Sequence, residues 1–576
     1  MMQKQWIRAN LELVSKALAE LLYEEVLHAD FLGPHYVVNL KNNVSYKFSA
    51  RIGAWGFLQI DPESIKRNPA TAHVNAATFF QDANTEMGMS SITLTHFLEE
   101  MNNTLFSEMR VLENKANIRT AKLTQLSGEA LHPYLSGHPK ILLNKGRLGF
   151  STTALKQFAP EYSSTFQVYW VAVNNSIIHQ SETSFHVESI LNKADLDLIQ
   201  TQLDNLKLTL KDYSLIPVHP WQFDRYIESQ YQKEIINNQI VPLGLFGDTY
   251  TPQISIRTLS NSENRNSCDL KLSLTILNTS AYRGISGENL HVGPILSDYM
   301  ENICLEDSLL KNLQTQVLKE LYVASVPQSD FIKIDGAPYR FNELLGCVAR
   351  ESAQSKIKES ELAIMTGSLF YVGDDHQSLI GEYIRLSKLT AHEWISRYFK
   401  HVVIPLYHLQ LSYGIGIVSH GQNIVLKLTD FAPSGMFIKD FQGDLRLNKE
   451  FIHKFPERLQ SLKALPADYL IHDLITGHFV TVLRFISPIM ETFKILNEKD
   501  FYKILGMEIK SYLEEHHPNL SKSSPLYLLR PEFEKVILNK VRFNIGYEDS
   551  SARPLPLLGK NLINPLQEFL KDTYEA

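Results

Sequence analysis

The chain has 576 residues, of which 44% are hydrophobic and 21% charged. That is ordinary globular usage and excludes a disordered, collagenous or low-complexity chain. Fifty-six Lys and Arg against 63 Asp and Glu leave a formal charge of −7, so no global basic excess exists to drive binding to nucleic acid or to an anionic membrane.

The three cysteines, Cys268, Cys304 and Cys347, include no CxxC pair. This argues against a disulfide framework or a thiolate zinc site and for reduced thiols. The N-terminus runs directly into an amphipathic pattern carrying Glu12, Glu20, Glu24 and Glu25, unlike a signal peptide. The most apolar stretch, 402–418, is interrupted by Pro405, His408 and Gln410, so no membrane span is expected. The expectation is a soluble cytoplasmic protein.

Leu11, Val14, Leu18 and Leu21, and later Phe97, Met101, Leu105 and Met109, recur at helical spacing. The segment 1–126 therefore reads as a helical unit. From about Ser127 the texture turns to β, with runs such as 165–173 and 251–259 and one intruding helix carrying Leu196, Ile199, Leu203 and Leu206. After about 341 helices return, interrupted by a β-hairpin near 423–440. The fold class is α+β, in about three lobes with soft boundaries at 1–126, 127–340 and 341–576.

Within the β-rich part, Gly137-His138-Pro139 leads to Lys145-Gly146-Arg147-Leu148-Gly149. The glycines let backbone approach a ligand, with cations beside it. No GxxxxGK[ST] loop occurs. His219-Pro220-Trp221-Gln222 forms a second His-Pro site, extended before its proline. Neither histidine has zinc spacing, and each reads first as a structural imidazole.

The run 251–260 alternates, placing Ile254 and Ile256 on one face and Ser255 and Arg257 on the other, with Thr258 following. The run 269–278 alternates as well, placing Lys271, Ser273 and Thr275 opposite Leu270, Leu272 and Leu274, with Thr279 continuing the polar parity and Arg283 four residues on. Two antiparallel strands with one cationic, hydroxyl-rich face would suit a polyanion, since Arg offers a planar fork and Lys a point charge. The same pattern also describes a solvated sheet face.

Further on, His420-Gly-Gln-Asn423 precedes the apolar strand 424–428, and a return strand ends at Asp440-Phe441-Gln442-Gly443. Asn423 and Asp440 are candidate oxygen ligands for Mg²⁺ beside a nucleotide. His420 is a candidate for carboxylate binding or proton transfer. A kinase-like phosphotransferase is the rival layout, but Gln422 stands where its carboxylate base would be needed.

In their order over residues 128–447, these motifs resemble the NRPS-independent siderophore synthetases of the aerobactin-synthetase (IucA/IucC) family. The resemblance implies a hand-like fold of thumb, fingers and palm, with an antiparallel sheet in the fingers and a mainly helical palm, usually as a homodimer. It implies adenylation of a carboxylic acid, citrate or a similar polycarboxylate, by Mg-ATP. A polyamine, amino acid or hydroxamate amine then captures the acyl-adenylate. It casts Ser255, Arg257, Thr258 and Lys271 as triphosphate contacts, and Thr279, Arg283 and His420 as groups at the phosphate–citrate junction. His138, Lys145 and Arg147 become further nucleotide or substrate contacts, and Asn423 and Asp440 metal neighbours. The chain departs from the family pattern at Ile141-Leu142, where many relatives carry a second His-Pro, and at Val418-Ser419, where many carry Glu-Ala.

Overall fold

The spaced leucines of the N-terminus do form one helix, Met2–Tyr23, in which Val14, Leu18 and Leu21 are fully buried. It packs against the helix Ser91–Ala116, whose Ser90 hydroxyl accepts from Thr93 N and caps its first turn. The computed structural model describes residues 2–279, 281–287, 292–460, 462, 464–552 and 556–566. Between these two helices the mainly helical unit is interrupted by short strands. The strands Asp30–Leu32, His35–Asn39, Ser45–Phe48 and Lys66–Asn68 pair into a sheet there. They are only three to five residues long, too short to show a clear period of two in the sequence.

The β-rich segment builds an eight-stranded sheet, every neighbour antiparallel, with Asp269–Leu272 and Thr258–Asn261 near its middle. Thr258 and Lys271 are register partners, as are Leu259 and Leu270. Both long alternating runs of the sequence are nevertheless broken. Ile256 takes a left-handed φ of 67°, and residues 253–257 form a turn closed by Ile256 N donating to Gln253 O at 2.8 Å. Ser255 and Arg257 thus lie on a turn, not on a strand face. The second run splits at Ser273 into Asp269–Leu272 and Leu274–Asn278, which belong to different sheets. Its polar residues do not share one exposed face. Thr275 N donates to Gln222 Oε1 at 2.8 Å, Ser273 Oγ donates to Glu343 O at 2.9 Å, and both side chains are buried.

Farther along, Ile424–Thr429 and Ala432–Ile438 form the expected hairpin, turned by Asp430 and Phe431, both with positive φ. It sits in a sheet with Glu361–Met365 and, in parallel, Thr315–Val317. The core divides into clusters: one gathers Leu18 and Phe97, a second Trp170 and Ile216, and a third Trp394 and Phe479. The third also takes in Val292, Leu296 and Met300 of the helix Val292–Glu306, so chain order and core membership do not coincide there. The C-terminal stretch is helical to His516 as expected, then forms a hairpin of Glu532–Ile537 and Leu557–Ile563.

Candidate active site

The two hairpins meet through an ion pair. Lys271 Nζ, on the central sheet, contacts the Asp440 carboxylate at the end of the strand Ala432–Ile438. Burial alone would raise the Asp440 carboxyl, but Lys271, Arg350 and Arg257 outweigh it and hold it well below the usual carboxylate range. This contact lies on the wall of a cavity of about 1160 Å³.

Of the sequence-derived candidates, Ser255, Arg257, Thr258, Lys271, Thr279 and Arg283 line this cavity, and so do His138, Lys145, His420, Asn423 and Asp440. Arg147 does not. Its guanidinium is buried and paired with the equally buried Glu161 carboxylate at 2.5 and 3.1 Å. Assigning Arg147 to nucleotide or substrate is therefore corrected: its charge is neutralised inside the scaffold. Leu148, the next residue, exchanges two backbone hydrogen bonds with Leu277, so this loop is strapped to the strand leading to Thr279. Lys145 faces the cavity but is already bonded to Glu108 Oε1 at 2.5 Å.

The second His-Pro site is also scaffold. His219 Nδ1 accepts from Trp221 N at 3.2 Å, and its ring lies against Phe158 and Phe166. Gln222 Nε2 donates to Thr275 Oγ1 and to Leu344 O.

His138 and His420 share one local design. His138 Nδ1 accepts from Ile141 N at 3.2 Å, and His420 Nδ1 accepts from Gln422 N at 3.3 Å. With Nδ1 as acceptor, the proton of each neutral ring sits on Nε2. Enclosure lowers both pKa values, His138 well below the ordinary value with His420 and Lys16 adding repulsion, and His420 against the pull of Asp444 and Asp440. Each ring therefore presents an uncharged Nε2–H donor rather than a base. His420 Nε2 lies 4.0 Å from Asp444 Oδ2.

Arg283 Nε and Nη2 donate to Asn278 O at 3.1 and 2.7 Å, and its guanidinium also contacts Thr279 Oγ1. Thr279, with φ of 63°, follows the strand Leu274–Asn278, which pairs antiparallel with Ala281–Arg283. Arg257 Nη1 contacts Gly284 O.

Sequence reasoning missed the helical walls. Glu12, Lys16 and Glu20 line the cavity from the first helix. Their spacing of four puts them on one face, a signal that reads equally as a solvated stripe. Lys16 Nζ donates to the carbonyls of His138 and Ile141 at 3.1 and 2.6 Å, and burial lowers its pKa to about 8. Asp444, Arg446, Tyr469, His472 and Thr476 contribute from the C-terminal half.

Residues 129–371 match the model of the IucA / IucC family, and residues 392–551 match a model described as ferric iron reductase FhuF-like transporter. The chain is 35% identical over 579 residues to an aerobactin synthase of Escherichia coli, with 98% of each chain covered. The chain belongs to the IucA/IucC family. Aerobactin synthetase IucC from a hypervirulent pathotype of Klebsiella pneumoniae superposes with a TM-score of 0.88 at 33% identity, covering 99% of this chain and 100% of that one. The ATP-bound aerobactin synthetase IucA of the same source shares the fold, with a TM-score of 0.77 at 17% identity over 97% of this chain and 99% of that one. This IucA/IucC member is accordingly a siderophore synthetase, an enzyme of the ligase class. Its segment 392–551 contains no cysteine. Among the described residues one helix, Ala467–Thr492, is long and apolar enough to cross a membrane, and it is mostly buried within the protein.

Proposed function

We propose that this synthetase adenylates a carboxylate of citrate, or of a similar polycarboxylate, with Mg-ATP and transfers the acyl group to an amine. The observation that carries the reading is the convergence of Arg257, Lys271, Arg283, His138 and His420 on one cavity. A carboxylate approaching a triphosphate is anion meeting anion, so preorganised cations and N–H donors must offset the charge in a water-poor site. The acid's oxygen attacks the α-phosphorus, and the bond to pyrophosphate breaks. The amine nitrogen then attacks the acyl carbon, the bond to AMP breaks, and the amine's proton leaves to solvent or to Asp444. The uncharged Nε2–H groups of His138 and His420 hold substrate oxygens without taking that proton.

No cluster of three or more His, Cys, Asp or Glu suited to a metal occurs among the described residues. That agrees with magnesium, which commonly takes one or two protein oxygens and completes its shell from phosphates and water. Asp440, Asp444 and Asn423 fit this role. Asn423 Nδ2 donates to Asp444 Oδ2 at 2.9 Å, while its Oδ1 is buried without a hydrogen-bond partner. When bound, the ion supplies charge neutralisation on the triphosphate. The rest of the reading is what the family resemblance implies: a cytoplasmic homodimer with a hand-like arrangement of thumb, fingers and palm near 1–126, 127–340 and 341–576.

The nucleophile is a polyamine, amino acid or hydroxamate amine. Coupling it to an already monosubstituted citrate is the second reading. The cavity leaves room for it, extending past the cationic wall to Tyr469, His472 and Thr476. The test is nucleotide product analysis with Mg-ATP, citrate and a panel of diamines and amino acids. AMP with a citrate–amine adduct is expected. ADP with a phosphorylated acceptor would replace this reading with a kinase-like phosphotransferase.

A further inference from the structure

His478 lies outside the cavity wall, fully buried, on the π-helical stretch Ile475–Leu483. Its Nδ1 is 2.9 Å from Ser419 O, and its Nε2 is 3.0 Å from Tyr398 Oη. A carbonyl only accepts, so Nδ1 carries the proton and Nε2 accepts from the tyrosine O–H. Geometry thus fixes the tautomer and gives a one-way chain from Tyr398 through His478 to the carbonyl that immediately precedes His420. Burial pulls the His478 pKa down to about 4, which keeps the ring neutral and the chain intact at neutral pH.

The same helix holds the Ser419 peptide from its other side. Ser419 N and Oγ both donate to Asp473 O, at 3.2 and 2.8 Å. Gly477 permits the approach, since a Cβ there would sit 2.8 Å from Ser419 N. Beyond the histidine, Gly367 N donates to Gly421 O at 2.9 Å. His420 is therefore suspended between two clamped peptides, and its own Nδ1 is used by Gln422 N. The direction of its Nε2–H is set by the plane of the 419–420 peptide, whose carbonyl His478 holds.

We propose that His478, oriented by Tyr398, is a positioning residue for His420. Neither residue touches the cavity contents; the pair acts by fixing where the His420 donor points. A buried imidazole and phenol in this apolar core would be replaceable by hydrocarbon if only packing mattered. A carbonyl left without its donor is free to rotate, and a misplacement of about 1 Å in a reacting group can cost about 10²-fold in rate.

The inference rests on the proposed adenylation for its kinetic arm, so the test has two arms. In the first, acid-dependent ATP–pyrophosphate exchange is measured for full-length His478→Phe, His478→Asn, Tyr398→Phe, His420→Ala and the double variant His478→Phe/His420→Ala. His478→Phe should lower kcat by roughly 10- to 100-fold with little change in KM for ATP, and Tyr398→Phe should show a smaller loss in the same parameter. His478→Asn, whose amide can still donate to Ser419 O, should recover most of the rate. The double variant should be no slower than His420→Ala alone, because both changes act through one group. Additive losses, or an Asn variant as impaired as the Phe variant, would overturn the proposal. In the second arm, which needs no turnover, NMR of isotope-labelled histidine rings should show the His420 resonance displaced in His478→Phe or Tyr398→Phe and near its original position in His478→Asn. An unmoved His420 signal in Tyr398→Phe and His478→Phe would overturn it as well. Absence of exchange in the unaltered enzyme with every acid tried would instead overturn the proposed function, and the NMR arm would then decide the inference alone.

Discussion

His138 and His420 face one another edge to face in the cavity, their ring centroids 6.5 Å apart and their planes at 73°. They come from loops nearly three hundred positions apart in the chain, yet each ties its Nδ1 to a backbone N–H two or three residues on. The result is two uncharged donors on one substrate space. Removing either, as Ala, should lower acyl-adenylate formation by about 10²-fold, the usual cost of losing one preorganised donor. Gln at either position retains an N–H and should recover part of that loss. Rapid-quench measurement of the adenylate would check both. Full recovery by Asp, a carboxylate without a donor, would instead identify a base.

Lys271 does two things at once: it faces the cavity and holds Asp440. Replacing it by Met leaves that carboxylate facing Arg350 and Arg257 with less compensation. Exchange activity should fall by at least about 10²-fold, since a cation aimed at the phosphates is lost together with the position of Asp440. Lys271→Arg keeps the charge but not the point geometry, and should restore only part of the rate. Arg283→Ala should likewise abolish adenylate formation while circular dichroism stays unchanged. Near-normal turnover in that variant would remove Arg283 from the site.

Arg147 belongs to the opposite class. Removing one partner of a buried pair strands the other charge and costs about 3–5 kcal/mol. Arg147→Met should therefore destabilise the protein by that order in denaturant titration. The fraction that remains folded should keep its specific activity. The double change Arg147→Met/Glu161→Leu should regain much of the stability, because no buried charge is left over. A folded Arg147→Met protein that had lost ATP binding would reinstate Arg147 as a ligand contact.

The contrast between Arg147 and Lys145 shows what the sequence could and could not convey. Both stand in the same short loop, and period and composition treat them alike. Each pairs with a carboxylate, Lys145 with Glu108 and Arg147 with Glu161, but only Lys145 lines the cavity, and only the packed structure supplies that difference. The hairpin residues were legible for a different reason. Alternation marked the antiparallel pairing that survives between Thr258–Asn261 and Asp269–Leu272, where Thr258 lies opposite Lys271. Alternation could not show the left-handed turn at Ile256, because nothing in an isoleucine announces a positive φ. The helical wall was written as Glu12, Lys16 and Glu20 at spacing four, but charge on one helix face looks the same whether water or a ligand covers it. The short strands between 30 and 68 gave too few residues for a period. The order of the motifs, by contrast, was sufficient to place the chain in its family.

Three fully buried histidines make stability depend on pH in one direction. Burial lowers the pKa of His132 and His219 to about 3 and that of His478 to about 4. Unfolded, each returns to about 6.5. Between those values the unfolded chain binds protons that the folded chain refuses, so stability rises with pH across this window and falls as pH drops below about 6.5. Above 6.5 both states are neutral and these groups contribute no slope. Each histidine adds about 1.4 kcal/mol of destabilisation per pH unit inside the window. His219 is the cleanest probe, since its Nε2 has no hydrogen-bond partner and its ring is flanked by Phe158 and Phe166. His219→Gln lowers stability at pH 7 but cannot take up a proton. The slope of unfolding free energy between pH 6 and 4.5, measured by denaturant titration, should therefore be shallower in the variant by about 1.4 kcal/mol per unit. Equal slopes in the two proteins would mean that His219 is protonated in the folded state, and the ring would then need an acceptor that the surrounding phenylalanines do not provide.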